Sequence, residues 1–164
     1  MCSSDLFSRP VRWLVALLDG QVVPARLEGS DPVVEAGALS RGHRLISALV
    51  PIADAQDYSR ALEQAGVLVD RHARGSLIQS AVERAATQLN GRPDLPDDLF
   101  EELVDLVESP QLIEGRLETR YLDLPAEVLS TVMRAHQRYV PLYELSGRSE
   151  EHTSELQSRQ YLVC

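Results

Sequence analysis

The residues suited to chemistry in this chain are few and far apart. His43, His72 and His136 are widely separated, and Cys2 and Cys164 sit at the two extremes, so neither a metal cluster nor a disulfide framework is spelled out. The densest cationic cluster is Ser40-Arg41-Gly42-His43-Arg44. Guanidinium forks match phosphate oxygens, which makes phosphate contact one reading of it. A loop anchored by Arg–carboxylate pairs is the other. A second group, His136-Gln137-Arg138, stands at a helix end where positive charge is favoured. His136 falls on the apolar stripe of that helix, so a hydrogen-bonded core histidine is expected beside the ligand-facing alternative. The acidic series Asp97, Asp98, Glu101, Glu102, Asp105 and Glu108 offers paired carboxylates for acid–base work. Its helical spacing marks a solvated face instead. The phosphate loop GxxxxGK[ST], the GxGxxG turn, the GxSxG elbow and the HExxH pair are all missing. At 5% aromatic content, a stacking platform for single-stranded nucleic acid is not expected.

The elements that must position these groups follow from periodicity. Pro10–Leu18 and Gln21–Leu27 are strand-like runs joined by Asp19-Gly20, a strong hairpin signal, with Pro24 placing the second run at an edge or bulge. Gly29–Gly42 reads as loop. Tyr58, Ala61, Leu62 and Ala65 share one face of a short helix closed by Gly66, and Val67-Leu68-Val69 is a brief β-type run. From Asp70 a longer helix is predicted, with Leu77, Ile78, Ala81, Val82, Ala85 and Leu89 as its stripe and Asn90-Gly91 as its end. Gly75 weakens it by about 1 kcal/mol relative to Ala. A third helix starts at Pro96 with Leu99, Phe100, Leu103, Leu106 and Val107 inward, and Leu112–Leu117 forms a strand broken by Gly115. The best-formed unit is Leu122–Tyr143. Pro125 opens a helix whose stripe is Val128, Leu129, Val132, Met133 and His136, and Tyr139–Tyr143 follows as a strand with Pro141 suggesting an edge. Strands and helices mix without βαβ alternation, so the fold class is α+β.

A length of 164 residues, 44% hydrophobic and 25% charged, is most simply one ordinary domain. A net charge of −9 argues against a generally basic nucleic-acid surface, though not against a local patch. All sixteen basic residues are Arg. No apolar run approaches membrane-spanning length and the N-terminus lacks signal-peptide features, so a cytoplasmic location is expected. The two ends stand apart. Met1–Leu6 and Arg148–Cys164 resemble translated sequencing-adapter sequence, and the tail's Ser, Glu and Gln content also suits disorder. Residues 7–147 are thus the expected natural part.

Within that part the chain resembles the beta subunit of the bacterial tetrameric glycine–tRNA ligase. The segments that carry the resemblance are RPVRWLVALLDGQVVPA at Arg9–Ala25, SRGHR at Ser40–Arg44, LFEELVDLVESPQLIEG at Leu99–Gly115 and, most firmly, LPAEVLSTVMRAHQRYVPLYE at Leu124–Glu144. Ser109 stands where the family usually has Trp, Val140 where it has Phe, and Asp70-Arg71-His72 replaces a more common Asp-Phe pair. The resemblance implies an incomplete domain of the N-terminal region, similar to the B3/B4 module of the phenylalanine enzyme. It implies a structural and tRNA-contacting part with no aminoacylation site of its own, in an alpha2beta2 heterotetramer. The alpha subunit would hold the site for glycine and ATP, with magnesium. This fragment would carry no cofactor, no metal site and no catalytic residue, and would meet neither membrane nor DNA. Arg41, His43, Arg44, Gln137 and Arg138 match recurrent family positions and are the candidate contacts to tRNA or partner. The competing readings are an editing-like hydrolase of aminoacyl-tRNA and a protein-interaction domain built on the acidic helix.

Overall fold

The computed structural model describes residues 11–46, 49–121, 123–144 and 156–163. The architecture is mixed α+β, divided into two compact units, Met1–Val69 and Asp70–Cys164, rather than the single domain expected. Separate sets of buried residues, one in the first unit and two in the second, explain the division, since each unit closes over its own apolar side chains.

The first unit is built from very short strands. β1 (Leu14–Val15) pairs in parallel with β5 (Val34–Gly37), and β4 (Arg26–Leu27) pairs with β5 antiparallel. β2 (Leu17–Leu18) and β3 (Gln21–Val22) form the expected hairpin, Leu18 facing Gln21. Asp19 adopts a left-handed φ of 51°, as Asp tolerates in such turns. The stretch Gly29–Gly42, read as loop from its Gly, Ser, Asp and Pro content, in fact supplies β5 and also β6 (Leu39–Ser40). Their partners, β1 and β7 (Val50–Pro51), lie outside the stretch, so local composition could not reveal the pairing. Asp54 accepts the Gln56 N–H and opens a turn of 3-10 helix, Ala55–Asp57, that leads into α1 (Tyr58–Gln64). Leu62 and Ala65 of this segment are buried with Val50 and Ile52, and Leu17 and Tyr58 pack against them. Gly66 ends α1 with φ +79°; a Cβ there would lie 2.6 Å from Ile46 Cδ1. Val67–Val69 continues as irregular chain, not as a strand.

The second unit has the larger core. Asp70 accepts the Ala73 N–H at 2.7 Å and caps α2 (Arg71–Gln88). Ile78, Val82, Ala85 and Ala86 of α2 are buried against Leu99, Leu103 and Val104 of α3 (Asp97–Leu106). The predicted phase is right in outline, but Leu77 and Leu106 face solvent, and Val104 takes the inward place given to Leu106. Gly75 is buried, with Phe100 Cζ 3.2 Å from where its Cβ would be. The helical penalty of this glycine accompanies close approach of two helices. A four-stranded antiparallel sheet follows, in the order β8 (Gly91–Pro93), β10 (Tyr139–Glu144), β11 (Leu156–Val163), β9 (Leu112–Gly115). Pro141 therefore sits in a strand paired on both sides, not at an edge. A register shift between Pro141 and Tyr143 accommodates it, and its carbonyl accepts the Asp94 N–H. Leu156–Val163 lie in the tail expected to be disordered; as a strand they take up the backbone groups that β9 and β10 would otherwise present.

Candidate nucleic-acid interface

The Leu122–Tyr143 segment positions the second group of candidate residues. Pro125 is the residue just before α4 (Ala126–Val132) rather than its first helical position. The helix then widens into a π-turn, Met133–Gln137, closed by Arg138 in the left-handed region at φ 56°, whose N–H donates to the Met133 carbonyl. The extra residue in that turn shifts the helical phase. Leu129 and Met133 stay buried, whereas Val128 and Val132 face solvent and His136 is exposed. The expected core histidine is thus overturned. A strict 3.6-residue period carried past Met133 puts His136 on the wrong side.

The π-turn brings Arg134 and Arg138 to one side, against α3. Arg138 Nε pairs with Glu102 Oε1 at 2.6 Å, and its Nη1 donates to the Arg134 and Ala135 carbonyls. Arg134 Nη1 lies 3.3 Å from Asp94 Oδ1, and the other Asp94 oxygen accepts the buried Ser130 hydroxyl at 2.7 Å. Arg134 Nε is buried and has no hydrogen-bond partner among the described residues. Pro96, Asp98, Glu102, Thr131, Arg134 and Arg138 line an open cleft of about 490 Å³ here. Gln137 is exposed beside it. The acidic face of α3 is accordingly more than a solvated surface. Glu102 holds Arg138, and Glu101 and Asp105 both hold Arg71 at the start of α2. The hydrogen bond from Arg71 keeps the Asp105 carboxyl below the ordinary carboxylate value, and the two carboxylates raise the Arg71 guanidinium further above its own.

The first group of candidates lies in the other unit, and its members share one loop. The His43 N–H donates to the Ala65 carbonyl at 2.8 Å and the His43 carbonyl accepts the Ile46 N–H, which ties the loop to the end of α1. The Leu45 N–H approaches His43 Nδ1 at 3.4 Å, making that nitrogen the acceptor. Ser40 is buried at the base, Arg41 and Arg44 are exposed, and neither arginine forms an ion pair among the described residues. Arg26 and Arg60 of the same unit do pair, with Glu28 and Asp57. The Arg41 guanidinium stands 5.4 Å from the centroid of the Trp13 ring. Sequence reasoning missed Trp13 as a neighbour. The signal was a lone Trp just before β1, and the sparse-aromatic argument hid it. Arg41, His43 and Arg44 are thus brought together in one unit, and Gln137 and Arg138 in the other.

Among the described residues no group of three His, Cys, Asp or Glu side chains is placed to hold a metal ion, and no helix is long and apolar enough to cross a membrane. A family model described as glycyl-tRNA synthetase beta subunit matches residues 2–155. The glycine–tRNA ligase beta subunit of Synechocystis sp. is 40% identical over 147 residues, covering 89% of this chain and 20% of that protein. That of Acaryochloris marina is 42% identical over 142 residues, covering 86% and 20%, and that of Listeria monocytogenes 36% over 151 residues, covering 92% and 21%. The chain spans about a fifth of the length of these curated relatives. With the family model matched over nearly the whole chain, the protein belongs to the glycyl-tRNA synthetase beta subunit family.

Proposed function

We propose that this chain is a structural, tRNA-contacting piece of a glycine–tRNA ligase beta subunit. In this reading it works with an alpha subunit in a cytoplasmic alpha2beta2 assembly that joins glycine to tRNA(Gly) using ATP. Glycine and ATP, with its magnesium, belong to the alpha subunit, and the fragment supplies no reacting group. The observation that carries the tRNA-contacting role is the Arg41–Arg44 loop. Its two exposed arginines have no carboxylate partner among the described residues of a protein of net charge −9, while Arg26 and Arg60 of the same unit are paired. Such a local patch attracts phosphate even against an acidic total.

The test uses the full-length beta chain of the same locus, co-purified with alpha and assayed for charging of tRNA(Gly). A complex that charges tRNA is expected, with the fragment alone inactive. Replacing both arginines, Arg41→Ala and Arg44→Ala, should raise the KM for tRNA and lower the salt slope of binding by about 2. Absence of a complex and of charging overturns the reading. An unchanged KM and slope in the double variant removes the loop from it.

A further inference from the structure

Trp13, Leu14, Leu17, Ile52 and Tyr58 line a groove of about 420 Å³ in the first unit. Its floor is firm, because Ile52 is fully buried and Leu17 and Tyr58 pack on the same small core. Its rim is exposed: Trp13, the only tryptophan of the chain, is 43% exposed. Arg41 stands over the Trp13 ring, which adds a flat guanidinium surface and a charge to the aromatic rim. We propose that this groove receives an unpaired nucleobase of single-stranded RNA, which Trp13 and Tyr58 contact through their rings while the adjoining phosphate sits at Arg41 and Arg44.

Charge decides the occupant and its direction. Aromatic walls accept any flat or apolar group, and a cationic rim selects one that carries negative charge, as a nucleotide does. Arg41 and Arg44 have no carboxylate partner among the described residues, so no ion pair must break for a phosphate to enter. At the other end the Asp54 carboxylate accepts the Gln56 N–H and Asp57 holds Arg60 at 2.6 Å. Asp57 is balanced by Arg60, so it is Asp54, with no arginine partner among the described residues, that turns a phosphate away from the Tyr58 end. The base therefore points toward Tyr58 and the backbone lies on the arginine side. Stacking on aromatic faces tolerates every base, so the groove senses an unpaired end more than a particular sequence. This deepens the tRNA-contacting role proposed above and rests on it.

The lone tryptophan supplies the measurement. Trp13 fluorescence of the 164-residue chain is titrated with a single-stranded RNA tetranucleotide, with the same oligomer carrying one abasic position at a time, and with an acidic peptide of equal charge. Saturable quenching by the RNA is expected, weakened about tenfold by the critical abasic position. Arg41→Lys keeps the charge and should preserve the salt slope while losing much of the quench. Arg41→Gln should lose both. Both variants alter an exposed side chain, and far-UV circular dichroism confirms their fold. Tyr58→Leu, read by anisotropy of a labelled oligomer, should weaken binding about tenfold. No quench at millimolar RNA, an unchanged affinity for every abasic oligomer, or equal quenching by the peptide overturns the proposal. If full-length beta with alpha still charges tRNA when the quench is missing, the groove inference fails alone; if charging fails as well, the functional reading fails with it.

Discussion

The two units differ in how far their arginine pairs reach along the chain. In Asp70–Cys164, Arg71, Arg134 and Arg138 are fastened to carboxylates of other segments and hold helices together. In Met1–Val69, Arg26 and Arg60 pair only with carboxylates two and three positions away, Arg41 and Arg44 have none among the described residues, and an exposed Trp lies under Arg41. The cores differ in the same sense. α2, α3 and β10 bury Ile78, Leu103, Val104 and Val140 almost completely, whereas the described part of the first unit buries only four apolar side chains, Val50, Ile52, Leu62 and Ala65. A well-packed unit and a thinly packed one in the same chain are the usual division between scaffold and contact surface, since binding segments come from the less stable parts of a fold.

The strongest test of this contrast is Leu103→Ala. Removing a fully buried Leu should destabilise the second unit by about 2–5 kcal/mol. Far-UV circular dichroism follows both units while Trp13 fluorescence follows only the first. A fall in the dichroism midpoint with an unshifted fluorescence midpoint is the expected outcome; equal shifts would show one cooperative body. Next comes Asp94→Ala, which strips the acceptor from the buried Ser130 hydroxyl and from Arg134 together. A loss of about 1–3 kcal/mol in urea unfolding is expected, and Asp94→Asn should recover part of it by keeping an oxygen for Ser130. In the first unit, Gly66→Ala forces a Cβ into a left-handed residue against Ile46 and His43. It should cost about 1–2 kcal/mol and lower RNA affinity through the loop, with fluorescence as the readout of both.

The smallest effect concerns acid. Arg71 holds Asp105 below its ordinary carboxylate value in the folded chain. The folded state therefore takes up that proton less readily than the unfolded one. The pair's contribution is complete above the unfolded value, about 3.9, and disappears as the pH falls through the lower folded value. Arg71→Ala should shift thermal unfolding slightly at pH 7 and not at all below the folded value. Both side chains are well exposed and 0.5 M salt should shrink the difference.

What the sequence made legible follows the range of the interactions involved. The Asp19-Gly20 hairpin, the start of α2 at Asp70 and the close of α1 at Gly66 depend on neighbours within a few residues, and all three are found where expected. β5 and β6 depend on distant partners, and their Gly and Pro flanks read as loop. Leu77 and Leu106 satisfy the helical period yet face solvent, because a stripe wider than the buried contact leaves its margins outside. The candidate arginines were visible as a local cluster. The meeting of Arg41 with Trp13 was not, since only the folded first unit joins two segments 28 positions apart.

The π-turn at Met133–Gln137 also sets a rule for insertions and deletions. A residue added to or removed from a regular helix rotates everything beyond it by about 100°. Here the widened turn has already absorbed one such step, and Arg138 restarts the chain in a left-handed conformation directly before β10. Deleting Ala135 would let the turn close as ordinary α-helix while keeping Tyr139 near its place. Adding a residue would have no such reserve and would slide β10, where Val140, Pro141 and Leu142 are all buried and a one-residue slip misplaces each of them. The segment is thus a one-way length buffer, tolerant of loss and intolerant of gain.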